Sequence, residues 1–194
     1  MRPFGYLLSL LIVTTPAMAD FKTGGDAYKQ GDYETAAKEF LPLAENGDHR
    51  AMYALGSMYA AGHGVPQDLK ESFKWFQKAA RYGRPDAEYK IGLMYANGLG
   101  VEQNDRRALN WLGKSAKKGF ASAQYQVGLM YMEGRGVEQD YIKAYAWSDL
   151  ALNQGYTKAG ESVATCKENL TPEQLQEAQA MSASFKEEYK PFRY

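Results

Sequence analysis

The sequence predicts an all-α solenoid built from antiparallel helix pairs and ended by a C-terminal capping helix. Three observations support this prediction. A 36-residue pattern occurs three times in one register, in residues 51–86, 87–122 and 123–158. Apolar residues in each copy follow helical spacing, and each copy contains the string Gly-x-Gly-Val between two helical segments. A fixed period of this length is typical of repeats that stack helix pairs around one continuous core.

The first helix of each copy is predicted over residues 51–61 and the equivalent ranges of the later copies. Ala51, Leu55 and Met58 show the i, i+4, i+7 spacing of one apolar helix face. Gly56 falls inside this helix and has a counterpart in both later copies. A glycine there costs up to about 1 kcal/mol relative to alanine. Its repetition therefore indicates a steric need, most simply close approach of the partner helix's backbone.

The second helix of each copy follows the Gly-x-Gly-Val string, whose glycines end the first helix and reverse the chain. Asp68, Asn104 and Asp140 are predicted to cap these second helices. Glu71 is expected to complete a capping box with Asp68. Each second helix also carries one tryptophan: Trp75, Trp111 and Trp147. We interpret the three rings as core residues, with an aromatic binding strip as the alternative.

The units that flank the three copies are incomplete. Residues 20–50 are predicted as an N-terminal repeat that lacks Gly-x-Gly-Val and whose turn resembles that of a tetratricopeptide repeat. Residues 159–194 are predicted as a degenerate repeat followed by a last helix that closes the open end of the stack. Thr171, Pro172 and Gln174 supply the N-cap, first-turn proline and capping-box partner of this helix.

Residues 1–19 have the features of a cleavable secretory signal peptide: Arg2, an apolar run, and Ala-Met-Ala before Asp20. The run is shorter than the roughly 20 apolar residues of a permanent span, although a retained anchor is the alternative. Asp20, not cysteine, would follow the cleavage site, which argues against a lipoprotein. The sequence thus predicts a periplasmic or secreted protein without a membrane span after cleavage.

Composition narrows the classes of partner. The chain has 23 Lys plus Arg and 23 Asp plus Glu, so removing Arg2 with the signal peptide leaves 22 against 23. This balance predicts no nucleic-acid partner and no polybasic membrane surface, and either would need a local patch. Cys166 is the only cysteine and lies where the other copies have methionine. We expect it to be buried, with a reactive thiol or an intermolecular link as the alternative.

The shared skeleton of the copies reads A-x-Y-x-[LIV]-G-x-M-Y-x-x-G-x-G-V-x-Q-[DN], followed by a tryptophan and a helix-ending glycine. It resembles the Sel-one-like repeat family, which is related to the tetratricopeptide repeats. The resemblance implies a right-handed superhelix and an adaptor that assembles other proteins, in exported bacterial members at the envelope or in contact with a host. The chain departs from the branch of the family that holds each repeat with a disulfide.

A second periodic face of the first helices is the candidate partner-binding groove. Tyr53 lies two positions before Leu55, so it points about 200° away from that core residue. If the first helices line the inner curve, this face suits an extended peptide or an amphipathic helix. The candidate residues are Tyr53, Ser57, Ala61, Tyr89, Leu93, Asn97, Tyr125, Leu129, Met132 and Glu133. The alternative is that the tyrosines only pack between neighbouring first helices.

The sequence contains no convincing motif for catalysis, cofactor binding or metal binding. Ser115-Ala-Lys-Lys has the S-x-x-K spacing of penicillin-recognising serine enzymes, but Lys22-Thr-Gly, their K-T-G, precedes it and no S-D-N accompanies them. His49 and His63 have no second ligand at metal spacing. Three carboxylates are interpreted as solvated loop charge, not as a glycosidase pair: Glu133, Glu138 and Asp140.

The sequence therefore predicts a non-enzymatic scaffold, monomeric and without a cofactor, that binds a protein or peptide. The alternative function is an envelope protein that binds, or less readily cleaves, peptidoglycan or another glycan.

Overall fold

The computed structural model describes residues 20–192, and these residues form ten α-helices and no strand. The helices are α1 (Phe21–Lys29), α2 (Tyr33–Glu45), α3 (His49–Ala61), α4 (Leu69–Ala80), α5 (Pro85–Asn97), α6 (Asp105–Lys117), α7 (Ala121–Glu133), α8 (Tyr141–Asn153), α9 (Ala159–Glu168) and α10 (Pro172–Glu188). The predicted signal peptide, residues 1–19, lies outside the described residues. None of the described helices is long and apolar enough to cross a membrane.

The predicted all-α solenoid is confirmed. Each first helix packs against its own second helix, and each second helix packs against the next first helix, from α1 to α9. The predicted apolar face is buried, with Leu55, Ile91 and Val127 no more than 2% exposed. Trp75 and Trp147 are also buried in the core, whereas Trp111 is half-buried.

The second helices begin as predicted, with one correction. Asp68 accepts hydrogen bonds from the backbone N–H groups of Lys70 and Glu71, and the equivalent caps Asn104 and Asp140 act in the same way. The expected capping box of Glu71 is absent, because the Asp68 N–H already donates to the Tyr59 carbonyl at 3.0 Å. The Glu71 carboxylate instead accepts a hydrogen bond from Lys74 at 2.8 Å.

The glycines inside the first helices make room for a side chain of the partner helix. A Cβ on Gly92 would lie 2.6 Å from Leu112 Cγ and 3.1 Å from the Leu112 backbone nitrogen. Gly56 and Gly128 meet Phe76 and Ser148, which occupy the same repeat position as Leu112. The prediction that the glycines admit the backbone of the partner helix was therefore incomplete, because side-chain atoms of the second helix come closest.

This contact predicts opposite effects for two glycine-to-alanine substitutions. Gly92→Ala should lower the free energy of unfolding by about 1–3 kcal/mol, because the new methyl group overpacks against Leu112. Gly113→Ala in α6 should raise it by up to about 1 kcal/mol, since no atom lies within 4 Å of the new Cβ. Urea unfolding followed by circular dichroism measures both values. Equal effects of the two substitutions would contradict the steric explanation.

The C-terminal helix begins with the predicted Thr171–Gln174 capping box, but it packs mainly on α8 and not on the preceding α9. Phe185 and Tyr189 lie against the Trp147 ring, at centroid distances of 4.5 and 5.4 Å. Beyond the helix, the Phe192 N–H donates to the Gly119 carbonyl at 3.2 Å. The last helix therefore covers the side of the third repeat, and the segment after it folds back onto the turn between α6 and α7.

Cys166 is fully buried beside Val163 and Ala178, as the repeat register predicts. Burial raises the pKa of its thiol from 9.0 to about 11. At pH 8 the native protein should therefore react with a thiol reagent far more slowly than the protein unfolded in guanidinium chloride. In the native protein little of the Cys166 thiol is ionised, and the reagent cannot reach the buried sulfur. Rates of absorbance change with a disulfide reagent measure this difference, and comparable rates would contradict the burial of Cys166.

In the second and third repeats, one pair of equivalent positions joins the first helix to the turn after the second helix, with different polar side chains in each repeat. The Lys118 ammonium donates to Glu88 Oε1 at 2.7 Å, and the Glu88 side chain is only 6% exposed. One repeat later, Gln154 Nε2 donates to Gln124 Oε1 at 2.9 Å. Glu88 Oε2 has no hydrogen-bond partner within residues 20–192. Within residues 20–192, Lys118 is therefore the only charged partner of the buried Glu88 carboxylate.

Removing Lys118 should cost more than replacing the whole pair. Lys118→Gln should lower the free energy of unfolding by about 1–3 kcal/mol, because it leaves the buried Glu88 charge without compensation. The double variant Glu88→Gln/Lys118→Gln reproduces the Gln124–Gln154 pair and should recover most of this loss. Thermal and urea unfolding measure the free energy of unfolding of the two variants. A double variant that is less stable than Lys118→Gln would refute this explanation.

Candidate partner-binding groove

The three predicted groove tyrosines lie at the junctions between repeats and are half-buried. Tyr89 packs on Phe120 at a centroid distance of 5.3 Å, and Tyr125 packs on Tyr156 at 5.2 Å. The Arg84 guanidinium lies 5.1 Å from the Tyr53 ring centroid. Phe120, Tyr156 and Arg84 occupy one repeat position, in the turn before the next first helix. Each tyrosine therefore contacts the turn that leads from its own repeat to the next.

A cleft of about 350 Å³ lies between the first and second repeats. It brings together three predicted groove residues: Ser57 and Ala61 of α3, and Leu93 of α5. Ala60, on the same helix face as Ser57, also lines it. Sequence reasoning missed the other residues of its wall: Leu69, Ser72, Phe76, Lys90, Met94 and Leu99. The lining is largely apolar, and Lys90 is its one charged residue. The cleft can therefore hold an apolar side chain beside a carboxylate or carbonyl group.

The residue between the two loop glycines differs among the repeats, and in the second repeat it lines this cleft. This position is His63, Leu99 or Arg135 in successive repeats. His63 stacks on Tyr33 at 4.2 Å, and Arg135 forms an ion pair with Asp105 at 2.8 Å, so both are engaged by the preceding repeat. Leu99 has no polar group for such a contact and is 42% exposed at the edge of the cleft. Its variation in an otherwise constant loop is the sequence signal that could have identified it.

The remaining predicted groove residues do not line this cleft. The exposed Asn97 side chain donates to the Leu93 carbonyl of its own helix at 2.8 Å. Leu129 is half-buried, and Met132 packs against the C-terminal core that contains Cys166. Glu133 Oε2 lies 3.7 Å from an Arg135 nitrogen. The structure therefore separates nine of the ten predicted residues into a cleft, a row of junction tyrosines and a group in the third repeat, and Asn97 lies apart at the end of α5.

The side chains considered for catalysis or metal binding have structural contacts. The buried Ser115 hydroxyl donates to the Pro85 carbonyl at 2.6 Å. His49 Nδ1 lies 3.2 Å from an Arg84 nitrogen, and His63 Nδ1 lies 3.0 Å from the Tyr28 hydroxyl. Across residues 20–192, no group of three or more His, Cys, Asp or Glu side chains could hold a metal ion.

Comparison with protein families agrees with this architecture. A family model described as Sel1 repeat matches residues 49–83, 85–120 and 121–156. These matches cover more than half of the chain. The chain belongs to the Sel1 repeat family. Each matched segment begins two residues before the predicted repeat, at the first residue of α3, α5 or α7.

Two solved structures resemble the whole solenoid. A Sel1 repeat protein from Oxalobacter formigenes is 29% identical and has a TM-score of 0.73, with 86% of this chain and 70% of that chain covered. The second is c5321, a protective antigen of uropathogenic Escherichia coli that displays an SLR fold. It is 27% identical with a TM-score of 0.62, and the match covers 87% of this chain and 45% of that chain.

A curated relative matches over a shorter segment. The exopolysaccharide production negative regulator of Rhizobium leguminosarum bv. viciae is 46% identical over 54 residues. The match spans 28% of this chain and 20% of the regulator. Only one fifth of that regulator is therefore shared with this chain.

Proposed function

We propose that this Sel1 repeat protein is a non-enzymatic adaptor of the bacterial envelope, or of the secreted fraction, that binds a segment of a partner protein. Sel1 repeats generally mediate protein–protein interactions, which supports the adaptor role. The envelope or secreted location rests on the predicted signal peptide. A role in regulation is compatible with the name of the rhizobial relative, a negative regulator of exopolysaccharide production.

The cleft between the first and second repeats is the proposed binding site. The observation that supports this choice is Leu99, an exposed apolar residue at a position where the other repeats have polar side chains engaged by the protein itself. Leu93 and Ala61 continue the apolar wall, and Lys90 adds a cation. These features suit an apolar side chain on an extended or helical segment, with an acidic or carbonyl group near Lys90.

Leu99→Arg tests this site with little risk to the fold, because the equivalent residue of the third repeat is arginine. The substitution should weaken partner binding at least about tenfold, since it places a charge where an apolar side chain would be buried. Leu41→Arg is the matched control, because Leu41 is 40% exposed and Leu99 is 42% exposed. Capture of crosslinked partners from an envelope extract, quantified by mass spectrometry, measures the effect, and circular dichroism verifies folding.

Equal capture by the Leu99→Arg variant and the unmodified protein would refute the proposed cleft. A parallel incubation with purified sacculi separates the adaptor from the glycan-binding alternative. Sedimentation of the protein with sacculi, or release of soluble fragments, would favour that alternative.

A further inference from the structure

The second helices of the first two repeats present a cluster of basic side chains to solvent. Three equivalent positions are basic in both repeats, and all six residues are exposed: Lys70 and Arg106, Lys78 and Lys114, and Arg81, which directly follows α4, with Lys117. We call this surface the basic face. None of the six forms an ion pair with a carboxylate of residues 20–192. The net charge of the chain is zero, so this local excess of positive charge is balanced by acidic residues elsewhere.

The same face of the third repeat has a different composition. The positions equivalent to the six basic residues are Ile142, Leu150 and Asn153 in α8. Leu150 is only 2% exposed, whereas its counterparts Lys78 and Lys114 are exposed. Helix α10 packs on α8, and Asp149 of α8 accepts a hydrogen bond from Ser182 of α10. In the third repeat this side of the second helix is therefore an interface with another helix.

A cleft of about 310 Å³ joins the basic face to that interface. Its apolar lining includes Leu109, Val127 and Trp147, and its rim carries Lys114 and Lys117. Gly113 lies in the same cleft with no atom within 4 Å of its would-be Cβ. Apolar side chains can enter this cleft while carboxylates on the same helix meet the lysines.

The structure disfavours two other anionic partners for the basic face, a nucleic acid and an anionic membrane. Lys78 and Lys114 lie over the Trp75 and Trp111 rings, at 3.7 and 4.2 Å from the centroids, so these rings offer no open surface for stacking nucleotide bases. The exposed large apolar residues of the described chain are Leu41, Tyr82, Leu99 and Phe192, and none belongs to α4 or α6. The basic face therefore lacks the exposed apolar side chains that insert into a membrane interface.

We propose that the basic face, together with the cleft between α6 and α8, binds an acidic amphipathic helix of a partner protein, which lies beside α10. Positive charge selects the acidic side of that helix, and the cleft accepts its apolar side. The packing of α10 on α8 shows that this side of the second helices accommodates a helix. This surface shares no lining residue with the cleft between the first and second repeats, so binding at the two surfaces can be tested separately.

A fluorescent synthetic helical peptide tests the proposal, with leucine on one side and glutamate on the other. Fluorescence anisotropy at physiological salt should show saturable binding to the full chain, and a matched peptide with lysine in place of glutamate should not bind. Lys114→Glu/Lys117→Glu should weaken binding of the acidic peptide about tenfold or more, because two attractive contacts become repulsive. The control Lys38→Glu/Lys158→Glu makes the same charge change at exposed residues outside the basic face and should bind within about threefold of the unmodified chain.

Circular dichroism and thermal unfolding show that both double variants are folded. No binding of the acidic peptide, or equal loss in the two double variants, overturns the proposal. Parallel titrations use a DNA duplex and vesicles with anionic lipid. Tighter binding of either one than of the acidic peptide also overturns it.

Discussion

The stacking of this solenoid depends on the contact of each Gly-x-Gly-Val loop with the preceding second helix. A Cβ on Gly64, Gly100 or Gly136 would lie within 2.6 Å of the backbone carbonyl oxygen of the first residue of α2, α4 or α6. These glycines also have φ values of 69–70°, a left-handed conformation that glycine adopts without a steric penalty. Because no other residue satisfies both conditions, the loop sets one distance and one register for successive repeats.

The fixed backbone register lets the side chains at the junctions vary without changing the fold. The Glu88–Lys118 ion pair and the Gln124–Gln154 amide pair occupy identical positions in consecutive repeats. At the loop position between the glycines, His63 and Arg135 contact the preceding repeat while Leu99 remains partly exposed. Differences in function along a repeat protein are expected at such positions, because they are free of the steric demands that hold the repeats together.

The C-terminal helix makes the two sides of the stack unequal. Because α10 covers α8, Ala146 and Leu150 are buried there, whereas the equivalent Lys74 and Lys78 of α4 are exposed. The apolar residues of the third repeat therefore lie where α10 covers the second helix, and the basic residues of the first two repeats lie where no helix covers it. The uncovered surface is the basic face, and the cleft between α6 and α8 lies at the edge of the surface that α10 covers.

The sequence by itself determined the class of fold, the order of the helices and most of the core. Periodicity was sufficient for this, because residues such as Ile91 and Leu112 are buried by contacts within one helix pair or with its immediate neighbour. The capping roles of Asp68 and Thr171 were likewise local, since each hydrogen bond joins residues within three positions of one another.

Only the tertiary structure decided which variable residues share a surface. Leu99 joins Ser57 and Leu93 in one cleft because the loop of the second repeat folds onto α4 of the first, a contact between segments far apart in sequence. The repeat pattern also did not predict that α10 packs on α8, and this packing sets the extent of the basic face. A repeat pattern specifies how each unit meets the next, but the placement of a non-repeated helix depends on which apolar surface its own side chains fit.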